Sequence, residues 1–92
     1  MAEWLRSGLR RDVCAVLYDL GEATGQECKT ALEAHYDRRL SPETFYGALD
    51  TLVETGHAEE RVDGIHDRYA LTDAGERALL AHHEWLADCV GE

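Results

Sequence analysis

Lysine is almost missing from this sequence. Of nine basic residues in a chain of 92, only Lys29 is a lysine, and nineteen acidic residues bring the net charge to −10. An acidic surplus of that size ordinarily argues against a polyanionic partner. The acids are spread through every segment instead of forming a tail, and such a surface with little lysine resembles that of proteins from salt-loving organisms. In molar salt the Debye length is about 3 Å, which screens most of the self-repulsion; an ordinary acidic mesophile composition is the alternative. Cysteine is sparse too: Cys14, Cys28 and Cys89 are odd in number, far apart and without Cys-x-x-Cys spacing, which excludes a disulfide framework or a zinc knuckle. Three reduced, buried thiols are expected. No apolar run approaches the ~18 residues of a membrane span, and the start lacks the basic-then-apolar plan of a signal peptide, so a soluble, cytoplasmic chain with no membrane partner is expected. Repeats, low-complexity stretches and linkers are absent as well, which leaves one domain over residues 1–92. A domain this small buries about 60–65% of its unfolded surface and is marginal alone, so dimerisation would help it.

What is present is organised around residues 41–55. Ser41 suits an N-cap and the single proline, Pro42, suits the first helical position, where a missing N–H costs nothing. Phe45, Leu49, Leu52 and Val53 recur as one apolar stripe, and Gly56 supplies a left-handed stop. Upstream, residues 7–20 read as a helix with Leu9, Val13, Val16, Leu17 and Leu20 on its inner stripe. Thr24 and Glu27 have capping-box spacing and open a second helix to about residue 36, with Cys28, Ala31, Leu32, His35 and Tyr36 inward. Downstream, residues 57–62 and 65–71 read as two strands joined by Asp63-Gly64, with Tyr69 and Leu71 toward the core. Thr72 then caps a last helix over residues 73–90, whose Ala78, Leu79, Leu80, Trp85, Leu86 and Val90 exceed what one small core needs. The expected fold is mainly α with a small β-hairpin, in the order α-α-α-β-β-α: a winged helix-turn-helix.

Two blocks carry a family resemblance. Leu40-Ser41-Pro42-Glu43-Thr44-Phe45-Tyr46-Gly47-Ala48-Leu49, followed by Leu52-Val53-Glu54-Thr55-Gly56, resembles the recognition helix of the PadR-like transcriptional regulators. Tyr69-Ala70-Leu71-Thr72-Asp73-Ala74-Gly75-Glu76-Arg77-Ala78-Leu79 is similar to their strand-to-helix exit. The likeness covers roughly residues 9–86, and the compact form resembles the short PadR-like proteins of salt-loving archaea. Two departures stand out: the hairpin lacks a run of basic residues, and Tyr46-Gly47 stands where a basic residue often follows the aromatic. The resemblance implies a homodimeric transcriptional repressor that binds a palindromic operator in double-stranded DNA.

In such a fold the third helix (41–55) enters the major groove and the wing (57–71) lies along the adjacent backbone. Arg38 and Arg39 precede that helix and Arg61 and Arg68 lie on the hairpin, which makes them candidate phosphate contacts with Ser41, Thr44 and Tyr46. Base reading falls to Glu43, Thr44, Gly47, Asp50 or Thr51, a carboxylate accepting from cytosine N4 and a threonine methyl meeting thymine. Blander readings stand beside these. Arg38 and Arg39 also suit a solvated connector, Arg61 and Arg68 suit pairing with Glu59 and Asp67, Tyr46 suits packing on the second helix, and Asp50 and Glu54 suit a solvated face. Trp4, Leu5 and Leu9 with Leu79, His83, Leu86 and Val90 are the candidate dimer interface, which would set two recognition helices about 34 Å apart. His82, His83 and Cys89 lack metal-ligand spacing, so no metal is expected, and no cofactor. No nucleophile-base pair or phosphate loop suggests an enzyme. The rival to DNA binding is an acidic protein-protein interaction module on the same scaffold; the sequence names no small-molecule effector.

Overall fold

The computed structural model describes residues 8–91. Four helices and a small sheet follow one another as α1 (Gly8–Leu20), β1 (Ala23–Thr24), α2 (Gly25–Tyr36), α3 (Pro42–Glu54), β2 (Ala58–Asp63), β3 (His66–Leu71) and α4 (Asp73–Val90). The sheet is antiparallel in the order β1-β3-β2. The expected order is therefore right in its helices and its hairpin but omits β1. That strand is two residues long and exists only by pairing, Ala23 with Tyr69 and Thr24 with Arg68, so no local pattern announces it.

The core forms where three helix stripes meet the sheet. Val13, Cys14 and Leu17 of α1, Cys28 and Leu32 of α2, and Phe45, Leu49 and Leu52 of α3 are buried, closed by Ala23, Ala58 and Tyr69. At roughly 1.5–3 kcal/mol for each large apolar side chain withdrawn from water, the three α3 residues are a major share of the stabilisation. Thr24 and Glu27 form the reciprocal capping box, Glu27 N–H donating to Thr24 Oγ1 at 3.1 Å and Thr24 N–H to Glu27 Oε1 at 2.9 Å. Thr72 Oγ1 likewise accepts from Gly75 N–H at 3.1 Å at the head of α4.

Several local expectations need correcting. Ser41 occupies the N-cap position of α3, but its hydroxyl makes no capping bond; Pro42 at the first turn shapes that entry without it. The hairpin loop is Gly64-Ile65 instead of Asp63-Gly64, because Asp63 pairs with His66 and extends β2 by one residue. Gly64 takes φ +65°, as a glycine at the first central position of a type II′ turn does. Leu20 and His35, both placed inward from periodicity, are exposed, since they line an open groove between α1 and α2 that no third element of the described residues fills. Cys89, expected to be buried, is exposed near the end of α4, while Cys14 and Cys28 are buried as expected.

Helix α4 is positioned by one close backbone crossing. Thr72 N–H donates to His57 O at 3.1 Å and Thr72 Oγ1 to Gly56 O at 2.6 Å. Three residues later Gly75 presses on the same carbonyl: a Cβ there would lie 1.9 Å from His57 O. Only glycine fits. Gly75→Ala is expected to cost about 3 kcal/mol, the upper range for forced overpacking, read as a lower urea midpoint. Gly47→Ala, whose Cβ would meet nothing within 4 Å on the exposed side of α3, should instead raise stability by about 0.5–1 kcal/mol.

Candidate nucleic-acid interface

Glu33 anchors the turn between α2 and α3. Its Oε2 accepts from Leu40 N–H at 2.8 Å and from Lys29 Nζ at 3.0 Å, while its backbone oxygen accepts from Arg38 N–H at 3.2 Å. Asp37 makes this reversal possible by adopting the left-handed conformation, φ +56°, as the cap of α2. The bond from Leu40 N–H, followed by Lys29, holds the Glu33 carboxyl below its ordinary range. The connector's two arginines are thereby carried at the entrance of α3 on a fixed backbone. Arg38 places its guanidinium 5.7 Å from the Tyr36 ring centre, and Tyr36 donates from its hydroxyl to Asp12. Burial, aided by that bond to Asp12, pushes the Tyr36 phenol up to about 12.

The outer side of α3 is polar. Glu43, Thr44, Gly47 and Asp50 are exposed together with Ser41. Thr51 is half-buried and donates its hydroxyl to Gly47 O at 2.9 Å. Tyr46 is half-buried, edge-on to Phe45 at 4.9 Å between ring centres, with its ring against Gly25. It thus packs on the start of α2, and it lines a cleft of about 220 Å³ together with Gln26, His66 and Asp67. No sequence signal marks Gln26 or His66, because only the fold brings the head of α2 beside the wing.

The hairpin arginines lie opposite each other across β2 and β3. The structure ties them to local carboxylates: Arg61 pairs with Glu59 at 2.7 Å and with Glu22 at 3.5 Å, and Arg68 lies near Glu27, whose carboxyl is lowered first by its bonds with the Thr24 backbone and hydroxyl and then also by this guanidinium. Arg61 is paired with Glu59, as the blander reading had it, and additionally with Glu22, 39 residues away. Asp50 and Asp67 share the neighbourhood of Tyr69, whose hydroxyl donates to Glu60 Oε2 at 2.9 Å. Burial first, then that carboxylate, raises the Tyr69 phenol.

On the far side, α4 carries an uncovered apolar stripe. Trp85 is 52% exposed, Leu86 46% and Val90 62%, with Leu80 also exposed. His83 is exposed too, while Leu9 and Leu79 are half-buried against the core. Trp4 and Leu5 lie outside the described residues. His82 is buried with its ring 5.6 Å from Trp85, and its Nδ1 has no hydrogen-bond partner among the described residues. Among those residues no group of three His, Cys, Asp or Glu side chains is placed to hold a metal ion, and no helix is long and apolar enough to cross a membrane.

A helix-turn-helix formed by α2 and α3, followed by a β2–β3 wing and a projecting α4, defines a winged-helix protein, and its fold is that of the PadR-like transcriptional regulators. Comparison with solved structures bears this out. RosR of H. salinarum superposes with a TM-score of 0.84 at 28% identity, over 89% of this chain and 74% of that one. F93 from STIV, a winged-helix DNA-binding protein, gives 0.76 at 17% identity over 87% and 88% of the two chains. PadR of Bacillus subtilis in complex with operator DNA gives 0.68 at 24% identity, over 87% of this chain and 47% of that one, so this chain spans about half of PadR. No family model matches the sequence, and no curated protein is significantly similar to it; the likeness is carried by the fold.

Two outcomes follow from the site. Glu33 has a depressed folded-state pKa, so its contribution is present above the ordinary carboxyl value of 4.5 and is lost as pH falls through its lower folded value. Glu33→Gln should therefore be less stable than the wild type near neutrality, and the gap between the two urea midpoints should shrink as pH is taken below 4.5. A thiol-reactive chromophore should label only Cys89 rapidly in the folded protein, since burial pushes Cys14 and Cys28 up to about 12.

Proposed function

We propose that this chain is a sequence-specific regulator of transcription that binds double-stranded DNA, a cytoplasmic homodimeric repressor adapted to high salt and acting through one domain over residues 1–92. The observation that carries the reading is α3: a helix held by three buried residues, with an exposed polar side and with Arg38 and Arg39 tethered at its entrance through Glu33. The neighbours described as DNA-binding or bound to operator DNA support it through their shared fold. In this reading Arg38, Arg39, Ser41, Thr44 and Tyr46 contact phosphates. Glu43, Thr44, Gly47, Asp50 and Thr51 face base edges, carboxylates accepting from cytosine N4 and threonine methyls meeting thymine. Arg61 and Arg68 act from the wing after exchanging local carboxylates for phosphates. Because an exposed pair of this kind is worth about 0–1 kcal/mol, the exchange is inexpensive.

The net charge of −10 sets the salt behaviour. Counterion release drives little binding in molar salt, so hydrogen bonds and shape carry the affinity, and screening removes the repulsion between two polyanions. The apolar stripe of α4, with Leu79, His83, Leu86 and Val90, joins Leu9 and the terminal Trp4 and Leu5 in an isologous contact with a second copy. Two copies then present their α3 helices about 34 Å apart to a palindromic operator.

Fluorescence anisotropy with duplex DNA across potassium chloride concentrations tests the reading. Affinity should persist into molar salt, and a steep loss between low and molar salt would contradict the halophilic part. Arg39→Ala should weaken binding roughly ten-fold, the cost of a lost charge-assisted phosphate contact, and by more than Arg61→Ala, whose guanidinium is already engaged. Failure to bind any duplex at any salt, in a folded protein, would favour the acidic interaction module, for which the pairing of Arg61 with Glu22 and Glu59 speaks.

A further inference from the structure

A second concave feature lies outside the DNA-facing surface. Helices α1 and α2 diverge around a groove of about 280 Å³ whose floor is Val16, Leu20, Ala31 and Leu32. Asp12, Asp19 and His35 stand on its rim. The two carboxylates are not equivalent. Asp12 accepts from the Tyr36 hydroxyl and pairs with Arg11 at 3.7 Å, so its charge is already answered. The Asp19 carboxylate is exposed to solvent, and no hydrogen bond or ion pair ties it to another of the described residues. An apolar floor left open beside an unanswered negative charge is complementary to one kind of ligand.

We propose that the α1–α2 groove binds a small amphiphilic cation, one ring or short alkyl chain bearing a single ammonium group, with its apolar part on Val16, Leu20 and Ala31 and its charge against Asp19. The size follows from the volume, which lies just below the usual range of pockets for drug-sized molecules, about 300–1,000 Å³. It admits a single ring with its linker. The sign follows from Asp19, whose carboxylate would repel an anion and would gain no ion pair from a neutral molecule. The apolar half follows from Leu20, 45% exposed at the end of α1, and a ligand covering it gains about 25 cal/mol for each Å² of apolar surface withdrawn from water.

Amide chemical-shift mapping of the whole protein tests this, with 2-phenylethylamine as the cationic probe and 2-phenylethanol as its neutral counterpart. Potassium chloride at about 1 M reduces the Debye length to about 3 Å, which suppresses diffuse attraction of cations to an acidic surface while leaving contact pairs. Saturable shifts are expected at Ala15, Val16, Leu20 and Ala31 with the amine. Affinity should be weaker for the alcohol by roughly two- to five-fold, the range of one exposed ion pair, and Asp19→Asn should cost the amine the same factor and leave the alcohol unchanged. Ala15→Trp, which places a ring in the groove from an exposed position, should abolish binding of both probes without unfolding the protein. Equal affinity for the two probes, shifts centred on the α4 stripe, or no saturable shift would each overturn the proposal. None of these residues belongs to the proposed DNA interface, so duplex binding stands or falls separately.

Discussion

The backbone crossing of Gly75 on the His57 carbonyl fixes how the two halves of this protein meet. One side of the crossing is the exit from α3; the other is the first turn of α4. His57 O also accepts from Thr72 N–H, and Thr72 Oγ1 both donates to Gly56 O and accepts from Gly75 N–H. A few backbone groups thus direct an 18-residue helix away from the sheet, with its far half uncovered. A bulkier residue at position 75 would push α4 off, and with it the apolar stripe proposed to pair two copies. The geometry of the proposed dimer rests on a contact with no side chain on one side of it.

Glu33 plays the corresponding part at the other end of α3. A single carboxylate gathers Lys29, the Leu40 amide and, through its own backbone, Arg38. In a chain of net charge −10, this carboxylate organises a basic segment instead of opposing it. Elsewhere acids neutralise bases locally, Glu22 and Glu59 on Arg61 and Asp12 on Arg11. That leaves the hydrogen-bonding groups of α3 more prominent than its charge, consistent with the proposed operation in strong salt, where Coulomb attraction over more than a few ångströms is lost.

How much was readable beforehand depended on distance along the chain. The Thr24–Glu27 capping box, the Phe45–Leu49–Leu52 stripe, the stop at Gly56 and the Thr72 cap are interactions between residues three to seven positions apart, and each is stated by residue type and spacing. Ser41 shows the limit even at short range: the right residue at the right place makes no capping bond. Leu20 and His35 fit the helical period yet stay in water, because periodicity reports which residues share a side and not whether another element covers it. Of the candidate site, the exposed polar side of α3 was legible as the complement of its apolar stripe. The cleft joining Tyr46, Gln26 and His66 was not, since its walls come from three separate elements.

The helices, the hairpin and the acidic composition are written in the order of residues, because they depend on hydrogen bonds and burial patterns repeated over a few positions. What the spare groups do depends on the three-dimensional fold. It paired Arg61 with Glu22 across 39 positions, added β1 to the sheet through Tyr69 and Arg68, set Gly75 on the His57 carbonyl and left Asp19 unanswered beside an open groove. Those outcomes follow from chain segments meeting at ångström range, where a clash or an unpaired charge is settled by three-dimensional packing that no local spacing encodes.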